Sequence, residues 1–302
     1  MEEYTLAFIL ISTDTVLDVV FLITMLLVII DGILLTKRIE MLRHRLGSMC
    51  NQTAFTIDNL TLSDARLLAL SESEDRAGGV GTLSEKMLHR ILKYCIDRNP
   101  ENHEIEVLGS IADVKNEQGI FEIQTRSFDK LAPKLARFLP EHNVTVIYPV
   151  EAEKTLRYVD KTDGSVTEPK RSPRHLRTYD AAKELRHISS FIGHANLTVK
   201  LVFLRVEEYR LLDGRGPTKT RGATKLERLP IEIISVIDLK SKADYILLLP
   251  DELPETFSAA EHARLIKRRS RDAYSTLRLL LDLGLLTRER VGRAYVYKRN
   301  NF

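Results

Sequence analysis

The chain has 302 residues, which is long enough for about two domains and for a core that needs no disulfides. Hydrophobic residues make up 44% and charged residues 29%, as in ordinary globular proteins, and the net charge of +3 is too small to select a partner. The two cysteines, Cys50 and Cys95, are far apart and have no metal-like spacing. This pattern excludes a disulfide framework and a cysteine zinc site, and it indicates a reducing compartment.

The most apolar part of the sequence is residues 5–36, and residues 17–36 are the part expected to enter a membrane. Its length approaches the ~20 residues that cross a bilayer as a helix, and a cluster of Lys and Arg follows it. We therefore expect residues 1–45 to hold a membrane anchor that keeps the rest of the chain in the cytoplasm, at the inner face of the cell membrane. Two alternatives stand beside it: a buried soluble helix, or a functional start at Met41 or Met49.

Residues 46–80 contain few large apolar clusters and end in a stretch rich in Ser, Glu and Gly, Ser71–Gly79. Such a composition predicts a flexible linker between the hydrophobic segment and the remaining chain.

Three short strands are predicted between Glu104 and Phe128, with turns at Gly109-Ser110 and Asn116–Gly119. A helix beginning near Thr82 precedes them. A second helix, capped by Ser127, and an apolar strand follow. The predicted order is helix, three strands, helix, strand.

Polar side chains interrupt the apolar pattern of the second and third of these strands. Asp113 lies in one strand, and Glu122 and Gln124 lie on one face of the next, because strand side chains alternate. In a hairpin the three side chains can converge at its open end. Grouped carboxylates suit Mg²⁺ or Mn²⁺, whereas the alternative interpretation is a hairpin with a solvated polar face.

The element order and these residues resemble the PD-(D/E)xK nuclease superfamily. Asp113 and Glu122-Ile123-Gln124 match its Asp then Glu-x-Lys signature, with Gln in place of the usual Lys. The resemblance implies an α/β fold, a restriction-endonuclease-like αβββαβ core with extra αβ elements, over residues 81–250. It also implies catalytic roles for Asp113, Glu122, Gln124 and Glu85, with Asp113 and Glu122 as metal ligands. For Glu85, a capping box with Thr82 is the alternative role.

Residues 151–250 begin with a basic, turn-rich part. The charge run Lys170–Arg177 reads either as a solvated loop or as a track for a phosphate backbone. A helix after Asp180 and a strand from Leu197 extend the sheet by one αβ unit, and a short helical stretch is expected at Pro230–Ile234.

The last fifty residues predict a helix, a turn, a second helix and a β-hairpin. Ser258 and Glu261 form a capping box, Gly284 ends the second helix, and Gly292 is the hairpin turn. This order resembles a winged helix-turn-helix domain over residues 251–302, which implies DNA binding. The residues that the resemblance and the local Arg clustering assign to DNA are Arg268, Arg269, Arg271, Tyr274, Ser275, Arg278 and Arg293. A winged helix that docks a protein is the alternative.

Together these features predict a metal-dependent DNA endonuclease with a DNA-binding winged helix. In this interpretation Gln124 positions the attacking water and Glu85 assists the metal or water. The expected partners are DNA, a membrane through residues 17–36, and a second copy of the chain in a homodimer. Two alternatives are a catalytically inactive, membrane-tethered DNA-binding regulator and a scaffold whose domains bind protein.

Overall fold

The structure is a computed structural model that describes residues 57–76, 86–214 and 222–300. The predicted anchor at residues 17–36, Cys50 and Glu85 lie outside these ranges. No helix within them is long and apolar enough to cross a membrane.

The main sheet contains seven of the described strands and mixes parallel with antiparallel pairs. Its strands are β1 (His103–Val107), β2 (Ser110–Asn116), β3 (Gly119–Ile123), β4 (Val144–Asp160), β5 (Lys170–Arg171), β6 (Leu197–Leu212) and β7 (Ala223–Leu239). The order across the sheet is β1-β2-β3-β4-β6-β7, and the short β5 pairs with the far half of β4. Among the strands that the structure describes, only the β3–β4 and β4–β6 pairs are parallel.

Four helices of the described residues precede or connect the strands of this sheet. They are α1 (Asn59–Arg76), α2 (Met87–Ile96), α3 (Ala132–Phe138) and α4 (Ala182–Leu185), the last flanked by 3-10 turns at Thr178–Ala181 and Arg186–Phe191. The predicted order of helix, three strands, helix and strand is therefore present from α2 to β4. The fold is mixed α/β, with the extra αβ unit that the sequence predicted.

The C-terminal part forms a separate three-stranded sheet in the order β8-β10-β9. Its elements are β8 (Thr256–Ser258), α5 (Ala259–Leu265), α6 (Ser270–Asp282), β9 (Leu286–Val291) and β10 (Ala294–Arg299). The capping box is observed, because the Glu261 N–H donates to Ser258 Oγ at 3.2 Å and the Ser258 N–H donates to Glu261 Oε2 at 2.7 Å. Leu277 and Tyr297 from this part share one hydrophobic core with Tyr148 and Leu201 of the main sheet.

Three local predictions were wrong. Ser127 does not cap α3, because its φ of 61° is left-handed and an N-cap is extended; the helix begins five residues later. Pro230–Ile234 is strand rather than helix: Pro230, which lacks an N–H, lies at a register shift of the edge strand β7.

The third error concerns the predicted linker at residues 46–80, of which Asn59–Arg76 is helical. Its buried residues Leu62, Ala65 and Ala69 recur at helical spacing, and two of them are too small to stand out in an apolar pattern. The Asn59 side chain ties the helix to β7 by bonding both the N–H and the carbonyl of Ile233.

Candidate functional site

The open end of the β2–β3 hairpin holds the two predicted carboxylates. Regular pairing ends at Val114 and Phe121, and beyond that point Asp113 Oδ2 accepts the Ile123 N–H at 2.7 Å. The carboxylate thus takes over a bond that the strand ladder would otherwise make. Asp113 and Glu122 are close enough for the charge of Asp113 to raise the pKa of Glu122, so two of the three side chains expected to converge do so.

A lysine from α3 completes this cluster. Lys134 Nζ lies 2.8 Å and 3.0 Å from the two oxygens of Glu122, so it bridges both. The Glu122 side chain is 2% exposed, whereas that of Lys134 is 29% exposed and open to solvent on one side. A buried carboxylate is stable only with such a partner.

A histidine from α2 approaches the other carboxylate. His89 Nε2 lies 3.2 Å from Asp113 Oδ2, and both side chains are about three-quarters buried or more. His89 is one helical turn after Glu85 in the sequence. The structure therefore brings the helix predicted to carry Glu85 to Asp113 through a different residue.

The two carboxyl groups differ in their acidity. Burial and, to a smaller extent, the charge of the neighbouring Asp113 together raise the pKa of Glu122 to about 7, against the opposing effect of Lys134. Burial also acts to raise the pKa of Asp113, but the bond and charge of His89, the Ile123 N–H and the charge of Lys134 together outweigh it, so that this pKa is lowered. The Asp113 carboxyl is thus held ionised beside the Glu122 carboxyl, which titrates near neutrality.

Gln124 is turned toward the following loop rather than toward the carboxylates. Its Nε2 donates to the carbonyls of Arg126 and Ser127, the latter at 3.1 Å. The amide therefore stabilises residues 124–127, and its N–H groups are occupied there. The cation that pairs with Glu122 is Lys134 of α3.

Sequence reasoning missed Lys134 and His89. A weak signal for Lys134 was available, because Leu131, Leu135 and Phe138 define the buried face of α3 and Lys134 borders it. Nothing in the sequence distinguishes it from the nearby Lys130, which is exposed. For His89 we find no sequence signal.

A divalent cation fits the donor chemistry of this cluster. Two carboxylates placed side by side raise the pKa of one of them, and a bound cation would relieve that repulsion. Within the described residues, no group of three or more His, Cys, Asp and Glu side chains is arranged to hold a metal. Asp113 and Glu122 would therefore hold the ion with water completing its coordination.

The second candidate region is a basic groove of about 860 Å³ along α6. Arg271, Tyr274 and Arg278 are exposed and Ser275 is half-buried. All four line the groove together with Lys183, Arg186, His187, Arg269, Asp272 and Arg288. The predicted DNA-facing residues of α6 thus share one surface. Arg293 lies in the exposed β9–β10 turn.

Arg268 has a different environment from the other arginines. Its guanidinium donates to both oxygens of Asp180, at 2.8 Å and 3.0 Å, and to the His175 carbonyl at 2.6 Å. It also lies 5.6 Å from the centre of the Tyr179 ring. These contacts attach the turn before α6 to the segment between β5 and α4, which gives Arg268 a structural role.

The fold and this cluster define an α/β protein whose mixed sheet carries a buried carboxylate pair bridged to a lysine. Residues 86–240, just over half of the chain, match the family described as Domain of unknown function (DUF8091), and the chain belongs to that family. The match runs from the start of α2 to the end of β7.

The chain is also similar to a bacterial protein of unknown function. An uncharacterized protein of Treponema pallidum (strain Nichols) is 28% identical over 186 residues, which cover 61% of this chain and 74% of that protein. No solved structure matches the chain.

Proposed function

We propose that this protein is a metal-dependent DNA endonuclease with a PD-(D/E)xK-like core and a DNA-binding winged helix. The cluster of Asp113, Glu122 and Lys134 is the observation that carries the proposal. It joins two carboxylates from adjacent strands with an ammonium group from the next helix. Two carboxylates that bind a metal and a cation that faces the phosphate suit phosphodiester hydrolysis. The cation here is Lys134 of α3, whereas the superfamily motif places its lysine at the position of Gln124.

Each residue of the cluster has a distinct task in this proposal. Asp113 and Glu122 would hold Mg²⁺ or Mn²⁺, which when bound lowers the pKa of a water and polarises the scissile phosphate. The ammonium of Lys134 stabilises negative charge that develops on the phosphate. His89 orients Asp113 by bonding the oxygen that also accepts the Ile123 N–H.

The C-terminal part supports the DNA-binding half of the proposal. Two helices followed by a hairpin, with α6 presenting arginines on an exposed face, suit insertion of α6 into a major groove. Arg271, Arg278 and Arg293 then contact phosphates or base edges, while the residue pair Arg268–Asp180 holds the domain in place.

Nicking of a supercoiled plasmid tests the proposed activity. The protein is expected to convert supercoiled plasmid to nicked or linear forms with Mg²⁺ or Mn²⁺ but not with a chelator. Absence of cleavage of plasmid and of branched DNA with either metal would reject the endonuclease.

One observation favours a second candidate, a non-catalytic DNA-binding regulator. Lys134 pairs with Glu122, and His89 contacts Asp113, so each carboxylate has a partner without any metal. In that case the cluster is a structural charge network. DNA binding that persists without any metal-dependent cleavage would support this candidate.

A further inference from the structure

A second pocket, of about 480 Å³, adjoins the basic groove where the main sheet meets the turn before α6. Its volume is in the range of small-ligand sites. The lining side chains come from β4, from the loop after β5, from the helical segment around α4, from the turn between α5 and α6, and from the first turn of α6. They are Tyr148, Arg174, Leu176, Tyr179, Asp180, Lys183, Glu184, Ile266, Arg268, Arg269 and Asp272.

Two tyrosines form aromatic walls that are held in place. The ring of Tyr148 packs edge-on against Phe128, with centroids 5.3 Å apart. The ring of Tyr179 lies beside the Arg268 guanidinium, and its hydroxyl donates to the Ile266 carbonyl at 3.4 Å. Rigid aromatic surfaces of this kind suit the flat face of a nucleobase.

Three cationic side chains surround these walls. Arg174, Lys183 and Arg269 are exposed, and among the described residues none of them forms an ion pair. Their charges are therefore available to an anion without breaking an existing contact. A phosphate group is the anion that arginine and lysine bind most directly.

The acidic residues of the pocket cancel only part of this charge, because four cationic side chains line it against three carboxylates. Asp180 is neutralised by Arg268, and Glu184 accepts the Phe128 N–H at 3.3 Å. Their remaining acceptor capacity, with that of Asp272, suits hydroxyl and amino donors. Aromatic walls, free cations and acceptors together match a nucleotide better than inorganic phosphate or an apolar ligand.

We propose that this pocket binds a nucleotide, with its base against Tyr148 and Tyr179 and its phosphate at Arg174, Lys183 and Arg269. The site does not depend on the carboxylate cluster being catalytic. Lys183 and Arg269 also line the basic groove, so the nucleotide has two possible sources. It is either a free nucleoside monophosphate or an unpaired nucleotide of a strand that lies in the groove.

Two exposed arginines provide a matched pair for the test. Arg174 lines the nucleotide pocket but not the groove, whereas Arg186 lines the groove but not the pocket. Calorimetric titration of the full chain with AMP, GMP, CMP and TMP measures the free ligand. Arg174→Ala should weaken binding by about tenfold or more, the loss expected for a charge-assisted hydrogen bond, and Arg186→Ala should not.

A second arm measures the strand-borne nucleotide. A duplex with one unpaired nucleotide should bind more tightly than the fully paired duplex, and Arg174→Ala should remove that preference while Arg186→Ala weakens both duplexes alike. Selective loss in either arm supports the site and identifies the source of the nucleotide.

Three results would overturn the inference. They are no selective loss in either arm, equal weakening by the two substitutions, or inorganic phosphate binding as tightly as the monophosphates. The plasmid-cleavage result is independent of these outcomes. A protein that cleaves DNA but lacks nucleotide binding would therefore retain the proposed function without this pocket.

Discussion

Lys134 is the cationic partner of Glu122 in the carboxylate cluster. Lys134→Ala should lower metal-dependent cleavage by about 100-fold or more, because it removes the charge that would stabilise the developing phosphate anion. Lys134→Arg keeps a cation and should retain part of the activity. Cleavage rates at saturating Mg²⁺ measure both effects.

Lys130→Ala is the matched control for this prediction. Lys130 lies four residues before Lys134 and is exposed, and it forms no ion pair with the residues that the structure describes. Its removal should leave cleavage unchanged. Equal activity of the two alanine variants would contradict a catalytic role for Lys134.

Gln124 is expected to matter much less than its position in the motif indicates. Its Nε2 bonds the carbonyls of Arg126 and Ser127, so Gln124→Ala should loosen that loop and lower cleavage by less than about tenfold. The same assay measures it. A loss as large as that of Lys134→Ala would show that Gln124 acts on the substrate or water directly.

At this scale the sequence predicted the carboxylates but not their partners. Asp113 and Glu122 interrupt an alternating apolar pattern, which one strand pair translates directly into proximity. Lys134 and His89 reach the cluster from two helices, and their approach depends on how those helices pack. A single sequence carries little information on such packing.

Among the secondary-structure elements, β7 shows why one local prediction failed. Pro230 and the apolar run after it read as helix, but β7 pairs with β6 over most of its length. Long-range pairing therefore outweighed local preference, and the register shift accommodated the proline.

Helix α5 carries a buried histidine that makes stability depend on pH. His262 is fully buried, neither ring nitrogen has a hydrogen-bond partner among the described residues, and burial lowers its pKa to about 4. An unfolded chain takes up that proton near pH 6.5. The unfolded state therefore binds more protons between these values, and stability falls as pH decreases from about 6.5 to about 4.

His262→Leu should remove this dependence. The loss of stability for the native chain over that pH range should reach at most about 3 kcal/mol, since one pKa unit corresponds to about 1.4 kcal/mol. Urea unfolding at pH 7 and pH 4.5 measures the difference for both proteins. A variant as sensitive to acid as the native chain would assign the effect to other groups.

Helix α6 is expected to bind duplex DNA through its exposed arginines. The double substitution Arg271→Ala and Arg278→Ala should weaken binding and reduce the salt slope by about two, because each lost phosphate contact releases fewer counterions. Arg278 also pairs with Asp282 at 2.9 Å, but both side chains are at least one-third exposed, so folding should be little affected. Affinities measured at several salt concentrations give the slope.

Arg264→Ala is the control for the α6 arginines. Arg264 is exposed on α5 and does not line the groove. The salt dependence of DNA binding by the Arg264→Ala variant should match that of the native chain. An unchanged slope in the double variant would favour a protein-docking role for this helix pair.

On the scale of the whole molecule, the sequence predicted the element order but not how the two parts combine. The α2-to-β4 order and the C-terminal helix pair with its hairpin were both predicted, because periodicity and turn residues encode them locally. The groove is shared: Lys183 and Arg186 come from the segment around α4, and Arg271 and Arg278 from α6. Only the packing of one part on the other creates that surface.

This arrangement also relates the family match to the proposed activity. The matched residues 86–240 contain the carboxylate cluster and one wall of the groove, while the other wall lies beyond them in α6. We therefore expect the core to hold the reactive groups and the C-terminal part to add affinity for DNA.

Plasmid cleavage by the carboxylate variants tests the central claim most directly. Asp113→Asn keeps an acceptor for the Ile123 N–H, and Glu122→Gln keeps the shape of the buried side chain, so both variants should fold and bind DNA. The account predicts Mg²⁺-dependent cleavage by the native chain and a loss of about 100-fold or more in each variant, with DNA affinity unchanged. Cleavage by Asp113→Asn or Glu122→Gln at the native rate would contradict it.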